Sequence, residues 1–291
     1  MNETAPARRL EAALGDFPGA ARLKAGQAAT DGLQLSVADV PVITRAFAPM
    51  VRELRYDVCE LAIGTFLQAK AHGKPIVLLP VVLAARTQEA ALVCLSDSGL
   101  RSPGDLAGRK VGVRSYSQTT GMWVRGIVED GFGVRADQVR WVTQDPPHVL
   151  EAVDPPWTER APAGADLLAM LRAREIDAVI AGEMPKAPDL RTVFPDPAAA
   201  GKEFRAQHGF LPINHMLTVR QDLVEREPDL PGRLVAAFRR LASEEDGALP
   251  VGRNAVEPGV ALALHYAQAQ GLLPGPMTLA QVWAGLPDGA G

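Results

Sequence analysis

The stretch that most constrains this chain runs from Ser102 to Gly126, SPGDLAGRKVGVRSYSQTTGMWVRG. Ser102 before Pro103 is a helix-start signal and predicts a short helix over residues 103–106. Gly108 then turns the chain. KVGV, residues 110–113, alternates and is β-branched, so it reads as a strand. Ser115, Ser117, Gln118, Thr119 and Thr120 crowd the mouth of a new helix starting near Thr120. A helix N-terminus rich in hydroxyls and free N–H groups is a ready site for a carboxylate or another anion. One segment thus suggests both a strand-to-helix architecture and a ligand charge.

The same order recurs along the chain. Residues 10–14, 33–38, 57–63, 76–83, 90–95, 139–143, 176–181 and 215–219 read as strands. Residues 43–54, 66–72, 165–174, 198–208 and 230–243 read as helices, with Pro49 a threat to the first. This alternation predicts an α/β fold with largely parallel sheets. The proline-rich residues 145–165 predict an ordered surface loop, and the Pro- and Gly-rich tail after Gly271 is expected to fray. At 291 residues the chain is too long for one small core and suits two lobes.

Several function classes drop out. The net charge is −4 and no long basic block occurs, which argues against nucleic acid. Cys59 and Cys94 lie apart in apolar runs and read as buried free thiols, without zinc-type spacing. No GxSxG, P-loop, GxGxxG or HExxH pattern occurs, so neither an organic cofactor nor a metal is expected. The N-terminal residues carry no apolar run of signal-peptide length, and the longest apolar run, residues 76–85, contains Pro80. The expectation is a cytoplasmic protein with no membrane partner.

The residues able to carry chemistry each have a plainer reading. Thr119 and Thr120 hold a carboxylate at the helix mouth or simply cap the helix. Arg86, at the end of an apolar strand, pairs with a carboxylate or is a solvated loop charge. Arg125 falls outside the apolar stripe of its helix and is a solvated or lobe-bridging charge or a ligand contact. Glu60, among the apolar residues of DVCELA, would be partly desolvated, as a general acid is, or paired for structure. His215 opens the apolar run HMLTV and is a core residue or a catalyst. Asp16 ends the first strand. Tyr116 stacks on an aromatic ligand or covers a lobe, and Ser117 lines the same loop.

SPGDLAGRKVGV resembles the DLKGK-VGV segment of type II periplasmic-binding-protein folds. That resemblance implies two α/β lobes with a ligand cleft between them: residues 1–90 and 216–291 as a discontinuous first lobe, 91–215 as the second. Over roughly residues 10–238 the chain is more specifically similar to the 4,5-dihydroxyphthalate decarboxylase family. The segments that carry it are LGDF with DGLQL, RAF, YDVCELAIGTFL, LPVVLAAR, the opening stretch through GFGV, EIDAVIAG, VFPD and HGFLPINHMLTVRQDL. The resemblance implies a cofactor-independent decarboxylase of a hydroxylated aromatic carboxylate, and a homo-oligomer. His215 or Glu60 would protonate the ring, Glu60 or Asp16 would accept from a ring hydroxyl, and Arg86, Thr119 and Thr120 would anchor a carboxylate. Two alternatives remain: a solute-binding protein for an organic anion, serving a transporter, or another lyase such as a chorismate dehydratase. AGEMPKAP departs from the family pattern, with Glu183 where relatives are more basic.

Overall fold

The computed structural model describes residues 8–26, 32–182, 187–244, 247 and 249–290; Glu183 lies outside them. In chain order the elements begin with β1 (Arg8–Ala13), α1 (Ala20–Lys24), β2 (Leu33–Val37), α2 (Phe47–Glu53), β3 (Val58–Ala62), α3 (Ile63–Ala71) and β4 (Ile76–Ala85). Then come β5 (Leu92–Leu95), β6 (Lys110–Val113), α4 (Thr119–Phe132), β7 (Arg140–Thr143), β8 (Thr158–Arg160), α5 (Leu167–Arg172), β9 (Ala178–Ile180), β10 (Leu190–Thr192) and α6 (Pro197–His208). The chain closes with β11 (Ile213–Arg220), α7 (Gln221–Arg226), α8 (Leu230–Ser243), α9 (Arg253–Ala269) and α10 (Leu279–Val282).

Two compact units result. The first holds residues 1–85, 213–260 and 278–291, the second residues 86–212 and 261–277. The expected division left all of 216–291 in the first lobe. Residues 261–277 instead pack with the second, because Tyr266 and Gln270 are buried against α4.

The first unit is built on a five-stranded sheet in the order β2-β1-β3-β11-β4. β2, β1 and β3 pair in parallel, and β11 runs antiparallel to both β3 and β4. Every residue of β3 is buried, as expected of a strand covered on both faces. Pro80 is tolerated because β4 is the last strand of the sheet. There β4 spends four steps, Leu78 to Val82, where β11 spends two, Thr218 to Met216, a bulge around the proline. The core of this unit joins Leu10, Val58, Val77, Leu79, Leu217 and Val219 to Leu234 and Phe238 of α8. Fully burying each such side chain contributes about 1.5–3 kcal/mol.

Pro49 does not break the helix it threatened. Residues 43–46 form a 3₁₀ turn and α2 starts at Phe47, so Pro49 falls in its first turn, where its missing N–H has no helical partner to lose.

The second unit carries a six-stranded sheet, β10-β5-β9-β6-β7-β8. β6 pairs in parallel with β7 and β9, and β5 runs antiparallel to β9. Residues 103–106 are a 3₁₀ turn closed by a Ser102–Asp105 capping box. The proline-rich loop is irregular apart from the short edge strand β8, and Leu150 and Val153 are exposed on it. The expected fraying of the tail is corrected: Thr278 caps α10, and Val282 and Trp283 are buried. Among the described residues, no helix is long and apolar enough to cross a membrane.

Candidate active site

Strand register brings Glu60 and His215 together. In the β3–β11 ladder Glu60 lies opposite Leu217 and His215 opposite Ala62, so the two are diagonal neighbours on one face. Val58, Leu217 and Val219 continue that face into the core. His215 Nδ1 lies 2.7 Å from Glu60 Oε1. The Gly15 backbone N–H donates to Glu60 Oε2 at 2.8 Å. Both carboxylate oxygens are therefore engaged in a side chain that is only 3% exposed.

An ionised carboxylate only accepts, so Nδ1 carries the proton and Nε2 is the nitrogen left for other chemistry. Phe47 packs edge-on against the imidazole, with ring centroids 5.1 Å apart, and fixes its plane. His215 keeps 19% of its side-chain surface open. The pair sits where β3 ends, the edge of an α/β sheet at which ligands bind.

Gly15 has a specific reason to lack a side chain. A Cβ there would stand 3.0 Å from Glu60 Oε2 and 3.2 Å from Ile43. Reading the sequence missed both Gly15 and Phe47. The available signals were the glycine that closes an apolar strand in LGDF and the aromatic of RAF.

The second unit offers a different site. α4 begins at Thr119 with Gln118 as its N-cap, and no side chain caps the turn. Thr119 and Thr120 are the first two helical residues, which removes the capping reading; both are buried. The Ser115 and Ser117 hydroxyls lie 3.1 Å apart. Arg86 is exposed and donates to the Gly182 carbonyl at 3.0 Å. Gln118 Nε2 would be 3.9 Å from a Cβ placed on Gly182. Arg86 and the α4 mouth thus converge on Gly182, and backbone N–H groups, hydroxyls and a guanidinium are assembled within one unit.

Three expected site residues are corrected. Arg125 is neither solvated nor open to a ligand: it is 2% exposed. Its Nε donates to Gln270 Oε1 and its Nη2 to the Tyr116 carbonyl, both at 2.7 Å. The guanidinium stacks over Tyr116 at 4.0 Å and Trp141 at 5.1 Å. Burial pushes its pKa down. Tyr116 is fully buried, its hydroxyl donating to the Gln270 carbonyl and accepting from Trp157 Nε1, so no face is left for a ligand ring. Asp16 has a 99% exposed side chain paired with Lys24 at 2.9 Å. It extends into solvent because it lies beyond the end of β1. Among the described residues, no group of three or more His, Cys, Asp or Glu side chains is arranged to hold a metal ion.

Comparison with known proteins places this geometry. Residues 47–155 match the NMT1/THI5-like family model. A 4,5-dihydroxyphthalate decarboxylase of Comamonas testosteroni is 33% identical over 210 residues, which cover 68% of this chain and 62% of that protein. A protein of the same name from Pseudomonas putida is 29% identical over 176 residues, 56% of this chain and 67% of that one. The chain thus spans somewhat under two thirds of the Comamonas protein. In structure, the periplasmic aliphatic sulphonate binding protein SsuA of Escherichia coli matches with a TM-score of 0.51 at 12% identity, over 94% of this chain and 88% of SsuA. The chain is a relative of the proteins named 4,5-dihydroxyphthalate decarboxylase, built on the α/β fold of periplasmic binding proteins.

Proposed function

We propose that the protein is a decarboxylase, a carbon–carbon lyase acting on a hydroxylated aromatic carboxylate of the dihydroxyphthalate kind. The observation that carries the reading is the 2.7 Å Glu60–His215 pair, in a chain 33% identical to a protein named for that reaction. His215 in its imidazolium form, held by the Glu60 carboxylate, donates the Nε2 proton to the ring carbon that bears the carboxylate. Electrons from a ring hydroxyl stabilise the resulting dienone-like intermediate. The carbon–carbon bond then breaks, its electron pair restores the aromatic ring, and carbon dioxide leaves. The proton stays on the ring, so His215 takes a new one from water before the next cycle. Glu60 acts throughout by orienting Nδ1 and balancing the imidazolium charge. Within the second unit the α4 mouth, with Thr119, Thr120, Ser117 and Arg86, has the chemistry to hold an anionic group such as a carboxylate.

The test is incubation with a panel of hydroxylated benzoates and phthalates, following carbon dioxide release and ring absorbance. Turnover that disappears in His215→Ala supports the reading. A second reading, binding of an organic anion without turnover, is favoured by the α4 mouth and by the fold shared with a sulphonate-binding protein. Thermal stabilisation by a carboxylate with no product formed would select it.

A further inference from the structure

The α4 mouth is bracketed by two backbone carbonyls, those of Tyr116 and Met122, and one distant side chain holds the second directly and the first through Arg125. Gln270 follows the end of α9 and is fully buried. Its Nε2 donates to the Met122 carbonyl at 2.9 Å. Its Oε1 accepts from Arg125 Nε, and the same guanidinium holds the Tyr116 carbonyl through Nη2. The Gln270 carbonyl accepts from the Tyr116 hydroxyl at 2.9 Å, and its N–H donates to the Tyr266 carbonyl at 3.1 Å. Every hydrogen-bonding group of the residue is therefore used. Three of these four partners, Met122, Arg125 and Tyr116, are on α4 or on the loop that feeds it. Residues 117–121, which carry Ser117, Thr119 and Thr120, lie between the two tied carbonyls.

We infer that Gln270 is a positioning residue for the anion-holding mouth of α4, setting substrate affinity from a segment 145 residues beyond Arg125. The inference rests on the proposed role of that mouth. A glutamine suits the task because it supplies one acceptor and one donor to two fixed partners at once. Nη1 of Arg125 already lacks a partner among the described residues, so loss of Gln270 would leave a second nitrogen of the buried guanidinium, Nε, unpaired.

Amide hydrogen exchange and kinetics together test this on the full chain. In Gln270→Met, which removes both side-chain bonds, amides of residues 114–122 should exchange at least threefold faster, with β3 amides unchanged. KM for the turned-over acid should rise tenfold or more while kcat stays within threefold. Gln270→Glu keeps an acceptor for Arg125 and loses the donor to Met122, so it should fall between; it also stands in if the methionine variant does not fold. An acceleration below threefold, or one spread evenly over the second unit, overturns the inference, as does an unchanged KM. If the wild type turns over none of the acids, the decarboxylase reading fails, and the exchange measurement alone decides whether Gln270 holds the mouth.

Discussion

Among the described residues Glu60, Glu89 and Arg125 are buried, and the first and last of these have opposite fates. Glu60 in the first unit and Arg125 in the second each sit on a regular element among apolar neighbours, and each is held by two oriented bonds. The difference lies in their partners. His215 is partly open and has a second nitrogen to offer. Tyr116 and Gln270 are sealed, with no exposed surface at all. A buried charge becomes a reagent only through a partner that reaches a surface; without one it is a strut.

The largest effects should separate these roles outright. His215→Ala is expected to lose about 10²–10⁴-fold in kcat, the usual contribution of a positioned proton donor. Its melting temperature should move by only a few degrees, since the imidazole is partly open and water can take its place beside Glu60. Arg125→Ala should do the reverse. It leaves Gln270 Oε1 and the Tyr116 carbonyl unpaired, at about 1–3 kcal/mol each, and opens a hole beside Trp141. Urea denaturation should show a loss of about 3–5 kcal/mol, while turnover per folded molecule falls far less than in His215→Ala. A stable but inactive Arg125→Ala would return Arg125 to the site and erase the contrast.

Two glycines sharpen the same comparison with smaller effects. A Cβ on Gly126 would stand 2.2 Å from the Tyr266 ring, so Gly126→Ala must push α4 away from the 261–277 segment. A cost of about 1–3 kcal/mol in stability is expected, as for other overpacked cores. A Cβ on Gly15 meets Glu60 Oε2 at 3.0 Å. Gly15→Ala should instead lower kcat about tenfold, through a displaced carboxylate, with little loss of stability. Parallel urea titrations and rate measurements on the two variants would show whether the losses divide this way.

What the sequence disclosed, and what it hid, follows the range of the interactions. The strand at Lys110–Val113 and the helix at Leu230–Ser243 were legible to the residue, because their periodicity is local. Glu60 and His215 could each be singled out, but their pairing depends on β11 returning beside β3 across 155 positions. Arg125 does lie off the apolar stripe of α4, as its spacing indicated. It is buried because Gln270, 145 positions later, closes over that side. The same segment sealed Tyr116. Asp16 was misplaced for a local reason: it follows the last strand residue by three positions, and Lys24 takes its charge.

The smallest predicted effect concerns a buried carboxyl with no cationic partner among the described residues and so completes the comparison. Glu89 is fully buried where the second unit begins. Its Oε2 accepts the Gln88 N–H at 2.8 Å, and its Oε1 has no partner among the described residues. Burial pushes its pKa up, and the backbone bonds only partly oppose this. The folded state therefore binds this proton more tightly than the unfolded chain. That contribution to stability is complete below the ordinary glutamate value of 4.5 and is lost as pH rises through the folded-state value. Glu89→Gln keeps an acceptor for Gln88 and cannot ionise. Its melting temperature relative to wild type should climb as pH is raised from 4 toward 8, by a few degrees at most. A difference that stays flat with pH would mean that burial costs the Glu89 carboxylate little, and that its surroundings hold the charge without a cation.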